Sequence, residues 1–234
     1  MSTRVKLLAS SVGTKLLIAI TGLSLFLFLV VHLIGNLMLF VGPKTFNGYS
    51  HALISNPLIY VAEAGLLALF LLHVFNAALN WWSNRGARPN DYEVRQWAGH
   101  TSRKSVASTS MILTGAVTLV FVVFHLLTMK FGPGEPEGYI YAGKDGPMRD
   151  LHRLVVEVFR DNPFALASVI FYAVCMVLVF LHLRHGLASA LQSLGVNHPR
   201  YNRFILMVGT ALAIIIGFGF AVIPVIIYLG GGRS

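Results

Sequence analysis

The chain has 234 residues, of which 56% are hydrophobic and only 12% are charged, and its formal net charge is +9. Charged residues make up about a quarter of an ordinary soluble domain, so this composition argues against a water-soluble globule. The Lys and Arg residues lie between apolar runs instead of along one stripe. This distribution indicates a membrane protein and argues against a nucleic-acid partner.

Five apolar runs are longer than the roughly 20 residues needed to cross about 30 Å of hydrocarbon. We predict an all-α integral membrane protein, in which residues 1–234 form a single membrane domain with a bundle of five transmembrane helices. The helices are predicted at residues 13–41, 57–83, 105–131, 163–194 and 201–230. The first run has no small-residue cleavage site, so we expect it to remain as the first span.

The connection between the third and fourth spans, residues 132–162, contains a short amphipathic stretch. It starts near Pro147 and has four apolar residues on one side: Leu151, Val155, Val158 and Phe159. We predict a short outer interfacial helix that covers the bundle as a lid. In the fifth span, Pro224 is expected to kink or end the helix.

The distribution of basic residues predicts the orientation. Successive loops lie on opposite sides of the membrane. Eleven of the 18 Lys and Arg residues lie in or near the loops on the same side as the N-terminus. Seven lie on the other side, which also holds most of the acidic residues. The positive-inside rule therefore places the N-terminus in the cytoplasm and the C-terminus outside the cytoplasmic (inner) membrane.

Nine histidines occur, and four of them are candidate ligands. One lies on each of the first four spans: His32, His73, His125 and His182. The other five are expected to be solvated or hydrogen-bonded: His51, His100, His152, His185 and His198. A single histidine in a span is as often hydrogen-bonded to a neighbouring helix as bound to a metal.

The depths of the four histidines match in pairs. His32 and His125 lie roughly 27–30 Å from the inner ends of their spans, whereas His73 and His182 lie roughly 15–18 Å from theirs. Two such pairs suit two six-coordinate haems, each held between facing helices. Zinc would need three or four ligands at one level, and no such cluster is visible. Five glycines in the spans would let a flat macrocycle approach the helix backbone. The same glycines are equally compatible with close packing between helices and no cofactor: Gly22, Gly35, Gly65, Gly115 and Gly186.

Several motifs resemble the five-helix, two-haem cytochrome b subunit of succinate:quinone oxidoreductases and fumarate reductases. They are SSVGTK at residues 10–15, TG at 21–22, HLIGN at 32–36, FHL at 124–126, HLRHG at 182–186 and QSLG at 192–195. The resemblance spans nearly the whole chain. It implies that His32 and His125 hold the distal, outer haem b and that His73 and His182 hold the proximal, inner one. The family's glycine spacing selects His182 over His185.

The resemblance also implies a function, namely electron transfer between the iron-sulfur subunit of succinate dehydrogenase and a membrane quinone, expected to be menaquinone. The chain has no dinucleotide-binding fingerprint and only one cysteine, Cys175, so it cannot oxidise succinate alone. The implied partners are the flavoprotein and iron-sulfur subunits, together with membrane lipid.

Two locations compete for the quinone. On the inner side, five residues offer hydrogen bonds or positive charge: Ser11, Lys15, Ser102, Arg103 and Ser105. The same residues suit capping, anchoring or contacts with haem propionates. Toward the outer side, Glu63 is the only carboxylate within a span. It is either a proton-exchanging group for quinol or an interfacial carboxylate that reaches water.

Two other functions are compatible with the sequence. One is a cytochrome b anchor of another quinone-linked enzyme, such as a hydrogenase or formate dehydrogenase. The other is a haem-free transporter in which the intramembrane histidines and Glu63 relay protons.

Overall fold

The predicted helical architecture is confirmed by a computed structural model, which describes residues 11–86, 110–143, 146–196 and 198–230. The helices are, in chain order, α1 (Ser11–Leu37), α2 (Pro43–Ile54), α3 (Leu58–Gly86), α4 (Met111–His125), α5 (Leu151–Val156), α6 (Ala165–Ser193) and α7 (Pro199–Tyr228). A π-helical segment, Leu126–Lys130, continues α4. Five helices, α1, α3, α4, α6 and α7, are long and apolar enough to cross a membrane. The chain is therefore a multi-pass membrane protein.

The bounds of these helices agree closely with the predicted spans. Residues 105–109 of the third predicted span lie outside the described residues. Pro224 lies inside α7, which continues to Tyr228, so this proline does not end the helix.

Four of the spanning helices form a closed ring. In it, α1 contacts α3, α3 contacts α4, α4 contacts α6, and α6 contacts α1. The fifth, α7, packs outside the ring against α6 and α1. Two pairs of helices therefore lie diagonally across the interior of the ring, α1 with α4 and α3 with α6.

The outer surface of the bundle is apolar along the spans. Large hydrophobic side chains such as Leu67, Val120 and Phe218 are more than half exposed. A soluble protein would bury such a surface, whereas hydrocarbon tails solvate it. The sequence forms long uninterrupted helices there because a helix satisfies its own backbone hydrogen bonds in lipid.

The predicted lid is present, but it starts later than expected. Pro147 belongs to a hairpin formed by β1 (Ile140–Gly143) and β2 (Gly146–Arg149), in which it pairs with Ala142. The helix begins after Asp150, whose side chain accepts a hydrogen bond from the backbone N–H of Arg153 and so caps it. A π-helical segment, Glu157–Asp161, continues α5, and residues 151–161 together are called the lid. Val155 and Phe159 are buried, as the amphipathic pattern predicts.

Helix α2 was not predicted from the sequence. It begins with Pro43, after Gly42 at a φ of 128°, and packs against α5. Its fully buried Asn47 donates to Asp150 Oδ1 at 2.8 Å and accepts from the backbone N–H of His152 at 2.9 Å. This amide ties α2 to the lid, and the end of the bundle where they lie is called the lid end.

Candidate functional site

Each pair of histidines predicted by depth is formed across a diagonal of the ring. His32 on α1 and His125 on α4 have ring centroids 5.9 Å apart and ring planes at 82°. His73 on α3 and His182 on α6 have centroids 6.4 Å apart and planes at 71°. Since diagonal helices meet only across the interior, all four imidazoles point into the bundle.

The two pairs lie at different levels. Thr21 on α1 contacts His73, and it precedes His32 by 11 residues. Thr114 on α4 contacts His182, and it also precedes His125 by 11 residues. Eleven residues of helix correspond to about 16 Å along the axis. The His32–His125 pair lies at the lid end, and the His73–His182 pair lies about 16 Å deeper.

Buried threonines set the tautomers of the deeper pair. The Thr21 hydroxyl donates to the carbonyl of Leu17 at 2.6 Å, so toward His73 Nδ1, at 3.1 Å, it can only accept. The single hydrogen of the Thr114 hydroxyl points between the carbonyls of Ser110 and Met111, each at 3.1 Å, so this hydroxyl likewise accepts from His182 Nδ1 at 3.2 Å. Both rings therefore carry their proton on Nδ1. Their Nε2 lone pairs remain available to a metal.

A glycine follows each of these threonines and accommodates the imidazole. A Cβ atom on Gly22 would lie 3.0 Å from His73 Cε1, and one on Gly115 would lie 3.3 Å from His182 Cε1. The lack of a side chain at these two positions therefore leaves room for the histidine rings. Of the other glycines singled out in the sequence, Gly35 lies against Tyr49, whereas Gly65 and Gly186 have no atom within 4 Å of a would-be Cβ among the described residues.

Aromatic rings surround the pair at the lid end. Phe28 stacks on His32 with centroids 5.2 Å apart, and Phe121 stacks on His125 with centroids 5.7 Å apart. The hydroxyl of Tyr172 lies 3.3 Å from His125 Nδ1. Asn36 Nδ2 donates to the His32 carbonyl at 2.8 Å, and it lies 3.4 Å from His32 Nε2, which is long for a hydrogen bond.

The spacing of both pairs suits two imidazoles on one six-coordinate iron. Metal–nitrogen bonds of about 2 Å, with roughly 1 Å from each nitrogen to its ring centre, separate the two centroids by about 6 Å. Within the described ranges, no group of three or more His, Cys, Asp or Glu residues is placed to hold a metal ion. Each site offers two imidazoles, and a haem would need no further protein ligand there.

Glu63 forms an ion pair that the sequence did not reveal. Its carboxylate contacts the ammonium of Lys130, at the end of the π-helical continuation of α4. The two side chains are 44% and 39% exposed. Glu63 is therefore a paired, partly accessible carboxylate at the lid end.

Of the predicted inner quinone residues, the structure describes only Ser11 and Lys15, both on α1. Lys15 is exposed on α1, at the end of the bundle away from the lid. Ser11 begins α1. The other three, Ser102, Arg103 and Ser105, lie outside the described residues.

Sequence reasoning missed three residues that support the histidines, namely Thr21, Thr114 and Tyr172. The signal for two of them was present, because a Thr-Gly step precedes a histidine by the same interval on α1 and α4. No family model, curated protein or solved structure matches the chain in comparisons with known proteins.

Proposed function

We propose that the chain is a di-haem cytochrome b membrane subunit that passes electrons between an iron-sulfur partner subunit and membrane quinone, as in succinate:quinone oxidoreductases. The observation that carries the proposal is the meeting of two histidine pairs across the diagonals of one helix ring, at two levels. His32 and His125 would hold one haem b, and His73 and His182 the other. When bound, each haem supplies a one-electron iron couple.

The residues around the histidines have defined tasks in this proposal. Thr21 and Thr114 fix the Nδ1–H tautomers, which direct Nε2 toward the iron and raise its basicity. Tyr172 contacts His125 at the lid end. The apolar rings of Phe28 and Phe121 exclude water from the pair at that end.

The orientation follows from the positive-inside rule. The N-terminus would lie in the cytoplasm, where the flavoprotein and iron-sulfur subunits of succinate dehydrogenase would dock, and the lid end would lie outside. An electron from the partner would then reach the site that His73 and His182 form first, and the site that His32 and His125 form second. Identification of the co-purifying subunits distinguishes this assembly from a hydrogenase or formate dehydrogenase.

We expect two haems b per chain in properly assembled protein. The measurement is a reduced-minus-oxidised absorption spectrum together with a haem count per chain. The result supports the proposal because two bis-histidine sites require two haems of the same type. Assembled protein without a b-type haem band would falsify the proposal that the chain is a cytochrome b, and it would favour a transporter that relays protons.

For the quinone we favour the lid end, where Glu63 and Lys130 offer a carboxylate and an ammonium within reach of the membrane. We expect Glu63→Gln to slow quinone-linked turnover about tenfold or more, because the amide cannot exchange a proton with quinol. Both haem spectra should stay unchanged. Glu135→Gln, an exposed carboxylate at the turn after α4, is the control and should match the wild type. Unchanged turnover in Glu63→Gln would instead favour the inner residues as the quinone site.

A further inference from the structure

Two buried side-chain atoms of the lid have no hydrogen-bond partner among the described residues. They are Nε2 of His152 and Nη1 of Arg160. His152 is only 8% exposed, and the side chain of Arg160 is 17% exposed. Leaving such groups unpaired is costly, and more so for a charged group, so each calls for a ligand.

The remaining polar atoms of Arg160 fix its guanidinium. Its Nε and Nη2 donate to the two carboxylate oxygens of Asp161 at 2.8 and 3.2 Å. Two of the three guanidinium nitrogens are therefore held, and the buried Nη1 is the one that remains. An arginine gripped in this way presents its last nitrogen in a defined direction.

His152 lies on the same lid as Arg160, and its position is fixed by its neighbours. Its backbone N–H donates to Asn47, and its ring lies edge-on to Phe46 with centroids 6.3 Å apart. Burial lowers the pKa of His152 below 6.5, and the charge of Arg160 lowers it further, whereas Asp150 and a hydrogen bond to the backbone of Leu39 raise it. His152 and Arg160 lie eight residues apart on the same lid. An anion between them would convert this repulsion into attraction.

Both residues lie in the layer that covers the His32–His125 pair. Phe159, next to Arg160, meets Tyr172 edge-on with centroids 4.8 Å apart, and the hydroxyl of Tyr172 contacts His125. The same hydrophobic cluster contains Leu33, which follows His32, and Leu39, whose backbone His152 contacts. The two unpaired atoms are therefore connected by packing to the site at the lid end.

We propose that His152 and Arg160 bind a carboxylate at the lid end, and that this carboxylate is a propionate of the haem held by His32 and His125. The inference rests on the proposed function. Haem b carries two propionates on one edge of its macrocycle. A carboxylate has two acceptor oxygens, which suit one N–H from Arg160 and one from a protonated His152.

The test is a redox titration of the full-length protein in the His182→Ala background, which is expected to retain only the haem at the lid end. Arg160→Gln removes a positive charge beside the propionate, so the reduced haem loses stabilisation. We expect the ratio of reduced to oxidised haem at a fixed potential to fall about tenfold, which corresponds to a midpoint potential lower by about 59 mV. Arg160→Lys keeps the charge and should recover most of the shift.

Arg153→Gln is the matched control, because Arg153 lies on the same lid but its side chain is 57% exposed. It should titrate like the parent. An unshifted Arg160→Gln, or equal shifts in both glutamine variants, overturns the proposal. Loss of bound phospholipid from Arg160→Gln, with an unchanged haem potential, assigns the two groups to a lipid phosphate and also overturns it. If Arg160→Gln does not assemble, His152→Gln is titrated in its place with the same expected direction.

Failure of the proposed function gives a different result. A wild-type chain without haem shows no titration at all. A haem-containing chain with an unshifted Arg160→Gln contradicts only the propionate site.

Discussion

His182→Ala is expected to lower the haem content from two per chain to one, whereas His185→Ala should leave both haems in place. The ring of His182 is the one that meets His73, and its Nδ1 is held by Thr114. Without it, the haem that we propose for the deeper site would lose one of its two protein ligands, and His185 lies three residues further along the same helix. The haem count of purified protein measures this loss. The low-spin signal of the remaining haem is a second measurement on the same sample.

His185→Ala is also the control for assembly, because both variants delete an imidazole from α6. If His185→Ala loses a haem and His182→Ala keeps two, His185 is the ligand. If both variants keep two haems, the deeper site is not built from α6 at all.

Asn47→Leu should detach the lid from α2 and lower the free energy of unfolding by about 2–4 kcal/mol. Asn47 is fully buried, and its side chain holds both Asp150 and the backbone of His152. Leucine has a similar size but removes both hydrogen bonds, which leaves the backbone N–H of His152 unpaired while Asp150 keeps only its bond from Arg153. Thermal unfolding of the detergent-solubilised protein measures the loss, and proteolysis within residues 151–161 reports whether the lid opens.

His51→Leu serves as the control, since His51 is exposed on the same helix. It should change the free energy of unfolding by less than about 0.5 kcal/mol. Equal destabilisation by the two variants would mean that α2 tolerates leucine poorly at any position. It would also mean that the Asn47 side chain does not hold α2 to the lid.

The spans and the pairing of the histidines were predictable for the same reason. In lipid, a helix must satisfy its own backbone, so the length of an apolar run predicts a span and the position of a residue predicts its depth. Depth alone pairs His32 with His125 and His73 with His182. It does not identify which helices are diagonal, because that depends on side-chain packing around the ring.

The lid end was harder to predict. Helix α2 is short and only weakly hydrophobic, and it packs against α5 through Asn47. The start of α5 depends on the cap by Asp150, which the amphipathic pattern cannot locate. His152 lies in a long connection, so the sequence suggested a solvated or hydrogen-bonded residue. The structure buries it, because α2 and the lid close over it.

The interval of 11 residues that separates the two levels on both α1 and α4 has an electrical consequence. About 16 Å is roughly half of a 30 Å hydrocarbon layer, so an electron that moves between the levels crosses about half of the transmembrane voltage. A full crossing is worth about 2.3 kcal/mol per 100 mV, and half of it is therefore worth about 1.2 kcal/mol. If the two histidine pairs hold haems as we propose, the distribution of an electron between the two levels would shift roughly sevenfold to eightfold with each 100 mV in a polarised membrane.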